Sequence, residues 1–372
     1  MAGRVHAGHL AATPDRTVPP AASRRPGEVT RPGRSAADDP TATDPCRTAG
    51  ADPDRPVAAV LAAALHLPGL DRRGVDGRGL DGRGVDGRGL DGRGVDGRGV
   101  DGPAGVAGAW TADEEPDCPP ERAADLLGRK GLLAKEPATR LALCAVHRAL
   151  GLAPKAPRPS GPADPRTAVV VSSNLGNVAT VGDIARRLRE GGPREVGPLE
   201  APNASSNVIA GAVAIWFRFG GPNLTVCSGA TAGLDAIWLA CLLLRAGRAD
   251  RVVVVGAEPD DPQAQALHSA RDGATAGVPL RAGAACLLLG RADAAPHPLA
   301  LLGPVRAGVP VDGAPRGPLV DEAAVAADHY GAAGVVHTAL AVRLVGATPT
   351  VTVRCGDAVD GVRELDVRAA RR

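Results

Sequence analysis

The chain has 372 residues, a formal net charge of +2 and only 2% aromatic residues. So small a charge gives no global field pointing to nucleic acid or an anionic membrane, and any core has to be built from Ala, Val, Leu and Ile. No apolar run approaches the ~20 residues of a membrane span, and the N-terminus has no apolar signal-peptide core. A cytoplasmic protein is the expectation, with neither nucleic acid nor membrane as partner.

Residues 1–56 are rich in Pro, Arg, Asp, Ala and Thr and lack apolar periodicity, so they are expected to be disordered. The apolar run VAAVLAAALHLPGL (57–70) reads as the first strand region of the domain and ends at Pro-Gly. Residues 71–102 then repeat a DGRG[VL] pentapeptide. A five-residue period fits neither helix nor strand, and a calcium-binding array needs a longer period and more carboxylates. It reads as a flexible, charge-balanced insertion, leaving 103–372 as the domain proper.

Ordered patterning resumes near Trp110. A helix starts at Pro137 with Leu141, Cys144 and Ala145 on one face. After a Pro-rich linker come a strand at TAVVVSS (167–173), a loop and an amphipathic helix in NLGNVATVGDIARRLRE, and a small-residue helix before Gly220-Gly221-Pro222. The stretch GPNLTVCSGATAGLDAI (221–237) passes abruptly from a strand (224–227) through small residues into a long apolar helix. RADRVVVVGAEPDD is a fully buried strand ending at Glu258, RAGAACLLLG is another, a helix is expected near 321–345, and TPTVTVR and RELDVRA form a last strand pair about the AVDG turn. Alternating buried strands and helices mean α/β layering.

Cysteines stand at 46, 118, 144, 227, 241, 286 and 355 with no CxxC pair, several in apolar runs such as LACLLL and AACLLL. Reduced, buried thiols are expected. Asp260 and Asp261 have no ligand partner at regular spacing, so no metal is expected. No strand-linked GxGxxG and no GxxxxGK[ST] occurs, and the repeat glycines are not phosphate loops.

The order of segments from about 110 to 290 resembles the β-ketoacyl synthases of the thiolase-like fold. The matching parts are LLGRKGL, RLALCAVHRAL, Gly221-Pro222-Asn223, the corner Ser228 to Thr231, the helix Ala232 to Arg245 and the strand Val252 to Glu258. The resemblance implies a layered α/β/α/β/α fold with a reduced second half. It also implies an acyl carrier protein as partner, no cofactor, and a homodimer or a heterodimer with a ketosynthase, paired through the strand Leu224, Thr225 and Val226. In that family the corner works through free N–H groups at a helix N-terminus, which activate a thiol and hold an oxyanion. Ser228, Gly229, Thr231 and Asn174 would then line the substrate and oxyanion region, although loop asparagines are also plain turn residues.

Matched to the family, the nucleophile's position is Ala230, a methyl that forms no thioester. Cys227 lies three residues earlier, about 10 Å along an extended strand. It is either a displaced nucleophile or a small buried core or interface residue. No HGTGT-like segment supplies the first histidine, and His297 sits in a polar loop. In DHYGAAGVVHTAL (328–340), Asp328 stands at the second histidine's position, His329 one residue late, and His337 inside the helix. The expectation is therefore a non-condensing partner resembling the chain-length-factor class. An acyltransferase, 3-oxoacyl synthase or malonyl decarboxylase with a non-standard site is the alternative, and an acyl-carrier-protein-binding remnant is a third.

Overall fold

The computed structural model describes residues 55–69, 117–198, 200–272, 278–309, 314–321, 325 and 327–370, all within the compact unit Pro45–Arg372. The expectations for the N-terminal segment, up to residue 54, and for the pentapeptide array concern residues outside that set.

The apolar run at 57–70 forms β1 (Ala58–His66), and the strands that follow are β2 (Thr167–Ser172), β3 (Asn223–Val226), β4 (Arg251–Glu258) and β5 (Gly283–Gly290). β6 (Ala300–Leu302), β7 (Arg306–Ala307), β8 (Leu319–Val320), β9 (Thr350–Asp357) and β10 (Gly361–Ala369) complete them. The main path of the mixed sheet is β3-β2-β4-β5-β1-β6-β10-β9-β8, with β7 paired to β10. β3, β2 and β4 run parallel, whereas β5 is antiparallel to both β4 and β1. β1 thus sits between the two halves of the path, although it comes first in the chain.

The helices are α1 (Ala123–Leu127), α2 (Pro137–Ala149), α3 (Val178–Gly191), α4 (Val208–Phe217), α5 (Ala232–Arg245), α6 (Pro262–Ser269) and α7 (Ala333–Leu344). α2 begins at Pro137, whose missing N–H costs nothing in a first turn. α6 is capped by Asp261, whose carboxylate accepts the Gln263 and Ala264 N–H groups at 3.0 and 3.1 Å. That is the structural role of the EPDD acidic pair's second member.

Side chains alternate with a period of two, and both faces of the first half of the sheet are buried. Val170, Val252, Val254 and Leu287 face α5 and α7, while Val169, Val171, Val253 and Val255 face α2 and α4. Continuous valine runs are what two-sided burial demands. α5 and α7 also pack on β10, and α7 on β9, with Val351, Val353, Leu365 and Val367 turned toward them. The helix pair is therefore the filling between the two halves of the sheet.

On the opposite face of β9 and β10 stand Thr352, Arg354, Glu364 and Asp366. Arg306 bridges Asp366 at 2.7 Å and Glu364 at 3.2 Å, Arg354 Nε donates to Glu364 at 2.8 Å, and Thr352 donates to Asp366 at 3.1 Å. Among the described residues, the helices that pack on β9 and β10 are α5 and α7. An ion-pair lattice thus covers this face of β9 and β10.

The helix expected near 321–345 is described over Ala333–Leu344 as α7. Ahead of it Val325 is helical, its N–H donating to the Asp321 carbonyl at 3.2 Å, and Tyr330, a non-glycine residue at φ +42°, turns the chain into α7. The N-terminal ends of α5 and α7 meet at Gly233 and Gly334. A Cβ on Gly334 would lie 2.5 Å from the Leu234 nitrogen, so only glycine permits this crossing.

Candidate functional site

Two short 3-10 turns, Gly229–Thr231 and Tyr330–Ala332, lead into the paired helices and touch one another. Each follows a residue pair of chemical interest, Cys227-Ser228 and Asp328-His329. Each also uses a left-handed residue, Gly229 at φ +68° and Tyr330 at φ +42°.

Glu258 holds the two turns to the sheet. Fully buried at the end of β4, it accepts the Asn174 N–H at 2.6 Å, the Leu175 N–H at 3.0 Å and the Ser173 hydroxyl at 3.2 Å. Burial pushes its carboxyl up to about 8, against the pull of these donors and of the Gly331 N–H. Asn174 in turn clamps the corner. Its amide nitrogen donates to the Gly229 carbonyl at 2.8 Å, and its amide oxygen accepts the Gly229 N–H at 3.2 Å. Asn177 donates to the Asn203 and Ser205 carbonyls. Asn174 is thus a positioning residue of the corner, whereas Asn177 serves the loop.

At the corner itself Ala230 is buried, and its N–H already has a partner. Asp360, in the turn between β9 and β10, accepts it at 2.8 Å. The carboxylate approaches so closely that a Cβ on Gly229 would lie 2.0 Å from Asp360 Oδ2. Where a ketosynthase-like corner would offer an N–H to a developing oxyanion, this one presents it to a resident anion. Ser228 and Thr231 donate to Asp235 at 2.6 and 2.7 Å, and Arg363 Nε donates to the same carboxylate at 3.0 Å.

Cys227 lies just past β3 and is exposed, so the buried-core reading of it is corrected. Its thiol donates to the Ser173 carbonyl at 3.1 Å. Partial desolvation, with the Glu258 charge behind it, raises its pKa above the ordinary thiol value. A protonated thiol is a poor nucleophile.

The histidines point elsewhere. His329 is buried, with its ring packed over Gly283 at the start of β5. Burial, helped by His337, lowers its pKa to about 4, so it is neutral near pH 7. His337 is also buried, its Nδ1 3.2 Å from the Arg354 carbonyl on β9, and His297 is exposed. Asp328, at the second-histidine position, forms a buried pair with His268 Nε2 at 2.6 Å and accepts the Tyr330 N–H at 2.6 Å. Burial alone would raise the Asp328 pKa, but the His268 bond and the Tyr330 N–H hold it below the usual carboxylate range. Arg271 stacks on the Tyr330 ring at 4.0 Å and bridges Asp357 at 2.8 Å, tying this second turn to the hairpin that carries Asp360.

Sequence reasoning had no hold on Asp360, His268, Arg271 or Asp235. The available signal for Asp360 was its place in the AVDG turn. An open concavity beside Arg166, Gly221, Pro222 and Arg248 lies at the other end of β2 and takes no part.

The geometry can now be set against known proteins. Residues 121–284 match the β-ketoacyl synthase N-terminal domain. The 3-oxoacyl-[acyl-carrier-protein] synthase 2 of Rhizobium meliloti (strain 1021) is 35% identical over 92 residues, covering 25% of this chain and 22% of that relative. The synthase of the same description from Vibrio cholerae serotype O1 is 34% identical over 93 residues, with the same 25% and 22% coverage. The chain thus matches about a fifth of the length of these curated relatives. Among solved structures, the ishigamide ketosynthase/chain length factor superposes with a TM-score of 0.54 at 23% identity, covering 67% of this chain and 85% of that one. A type II PKS acyl-carrier protein in complex with its ketosynthase bound to the hexaketide gives a TM-score of 0.56 at 14% identity, covering 85% and 100%. The fold is the thiolase-like fold of ketosynthases. Over residues 121–284 the chain is similar to the β-ketoacyl synthases, in the N-terminal domain of that family.

None of the helices in the described residues is long and apolar enough to cross a membrane.

Proposed function

We propose that this chain is a non-condensing, chain-length-factor-like partner of an active ketosynthase in polyketide- or fatty-acid-type synthesis, meeting acyl chains delivered by an acyl carrier protein. The observation that carries this reading is the corner: a methyl at Ala230, with its N–H held by the Asp360 carboxylate. Covalent acyl transfer needs a nucleophile and free oxyanion donors at one place, and here both are replaced. The family match and the folds of the neighbours support the class of pathway.

Pairing would use β3, which ends the sheet path and, among the described residues, pairs with β2 alone. Its side facing α4 is already satisfied, since Thr225 donates to Asn207 at 2.8 Å and Asn223 donates to the Ala210 carbonyl at 2.9 Å. Its free edge, with exposed Leu224 and with Ile215 of α4 78% exposed, is the kind of surface that needs a partner. Val226 packs partly against the core, so Leu224 is the cleaner residue to probe.

The test mixes this protein with a type II ketosynthase and an acyl-loaded carrier protein. It reads complex formation by light scattering, and acyl groups on each chain by intact mass spectrometry. The reading expects a complex, acyl groups on the ketosynthase, and none on this chain. An acyl group on Cys227, or condensation by this chain alone, would favour the acyltransferase alternative. Carrier-protein binding without a ketosynthase complex would favour the carrier-binding remnant.

A further inference from the structure

Far from the corner in the sequence, three elements converge on a different chemistry. β1 ends in His66, Cys118 stands in the segment before α1, and Cys144 lies on α2. One donor atom from each lies within 4.8 Å of the other two. His66 and Cys144 are fully buried, and Cys118 is partly exposed. Cys118 Sγ is 3.8 Å from His66 Nε2. Tetrahedral coordination at ordinary zinc–sulfur and zinc–nitrogen distances separates two such donors by about 3.6 Å, so this pair needs almost no movement. Two sulfurs and an imidazole form a donor set suited to zinc and unsuited to calcium or magnesium.

The surroundings fit the same purpose. Asp117 Oδ1 lies 3.4 Å from His66 Nδ1, and its other oxygen accepts the Leu67 N–H at 2.9 Å. A carboxylate behind the imidazole is the arrangement that fixes a metal-binding histidine's tautomer and orientation. His66 Nε2 is also 2.9 Å from the Cys118 carbonyl. A ring proton held there would move to Nδ1, toward Asp117, to free the Nε2 lone pair.

We propose that His66, Cys118 and Cys144 form a binding site for one divalent metal ion of the zinc class, with the fourth position open to water on the Cys118 side. This inference is independent of the reading of the corner. The ion would join β1 to α2 and close the stretch 67–117, which contains the pentapeptide array, at both ends.

The test uses the full chain, metal-stripped and kept reduced. Titration with cobalt(II) should give thiolate-to-metal charge-transfer absorption and tetrahedral visible bands that saturate at one ion per chain. Zinc should displace the cobalt and raise the melting temperature. Cys118→Ser, at a partly exposed position, and Cys144→Ser should each abolish the charge-transfer bands at that stoichiometry, while Cys227→Ser keeps them. Absence of the bands in the reduced parent, or bands that persist in both Cys118→Ser and Cys144→Ser, would overturn the proposal. So would a Cys118–Cys144 disulfide that forms in the presence of excess zinc.

Discussion

The two turns that open α5 and α7 make a natural comparison. They share a 3-10 turn, a left-handed residue and a glycine at the helix crossing, yet their carboxylates do opposite things. At the second turn, Asp328 is wholly buried and paired with His268, so it holds the turn together. At the first, Asp360 reaches in from a half-buried hairpin turn and occupies an N–H that the fold alone would leave open. One carboxylate is a structural member. The other is a plug, and removing it should expose a donor without unfolding anything.

Breaking the structural member should have the largest effect. Asp328→Ala leaves His268 without its partner in the interior, a change of the kind that costs about 3–5 kcal/mol, measurable by urea denaturation. Asp360→Asn should cost no more than about 1 kcal/mol, because Asp360 itself is partly exposed. Equal losses from the two substitutions would erase the distinction between member and plug.

Glu258, which serves both turns, comes next. Its folded pKa of about 8 lies above the unfolded value of 4.5, so the folded state holds a proton that the unfolded state has released. Its contribution is fully present below pH 4.5, declines by about 1.4 kcal/mol per unit as pH rises from there, and is lost above about 8. Glu258→Gln should flatten that slope in pH-dependent unfolding. An unchanged slope would show that other groups set it.

The smallest effect on the folded chain is expected at the edge strand. Leu224→Lys should change stability by no more than about 0.5 kcal/mol while abolishing complex formation with a ketosynthase in light scattering. A retained complex would remove β3 from the proposed interface.

The longer strands (β1 to β5, β9 and β10), most helices and the position of the first corner were legible in the sequence because they rest on local signals, whereas the short β6, β7 and β8 were not. The valine runs at 167–173 and 252–255 announce two-sided burial, Pro137 marks a helix start, and small residues mark the turn at 228–231. The contacts that decide the chemistry were not legible, because they join residues that only the topology brings together. Asp360 is 130 positions from Ala230, Asp328 is 60 from His268, and Cys118 is 52 from His66. The turn ahead of α7 was hidden for a different reason. Nothing in DHYGA (328–332) signals that Tyr330 takes a left-handed conformation, held by the Asp328 bond to its N–H and by Arg271 on its ring.

The central claim is that Asp360 occupies the donor of a corner that lacks its nucleophile. The most direct measurement compares iodoacetamide alkylation of Ala230→Cys with that of Ala230→Cys combined with Asp360→Ala, which leaves no acceptor for the N–H, resolved site by site with peptide mass spectrometry. Removing the carboxylate should let the helix N-terminus lower the new thiol's pKa, and a drop of one unit gives about tenfold more thiolate. The double variant should therefore react at position 230 about tenfold faster than the single one, and faster than Cys227 does in the parent. Equal rates at position 230 in the two variants, or a parent Cys227 that outpaces both, would contradict the claim.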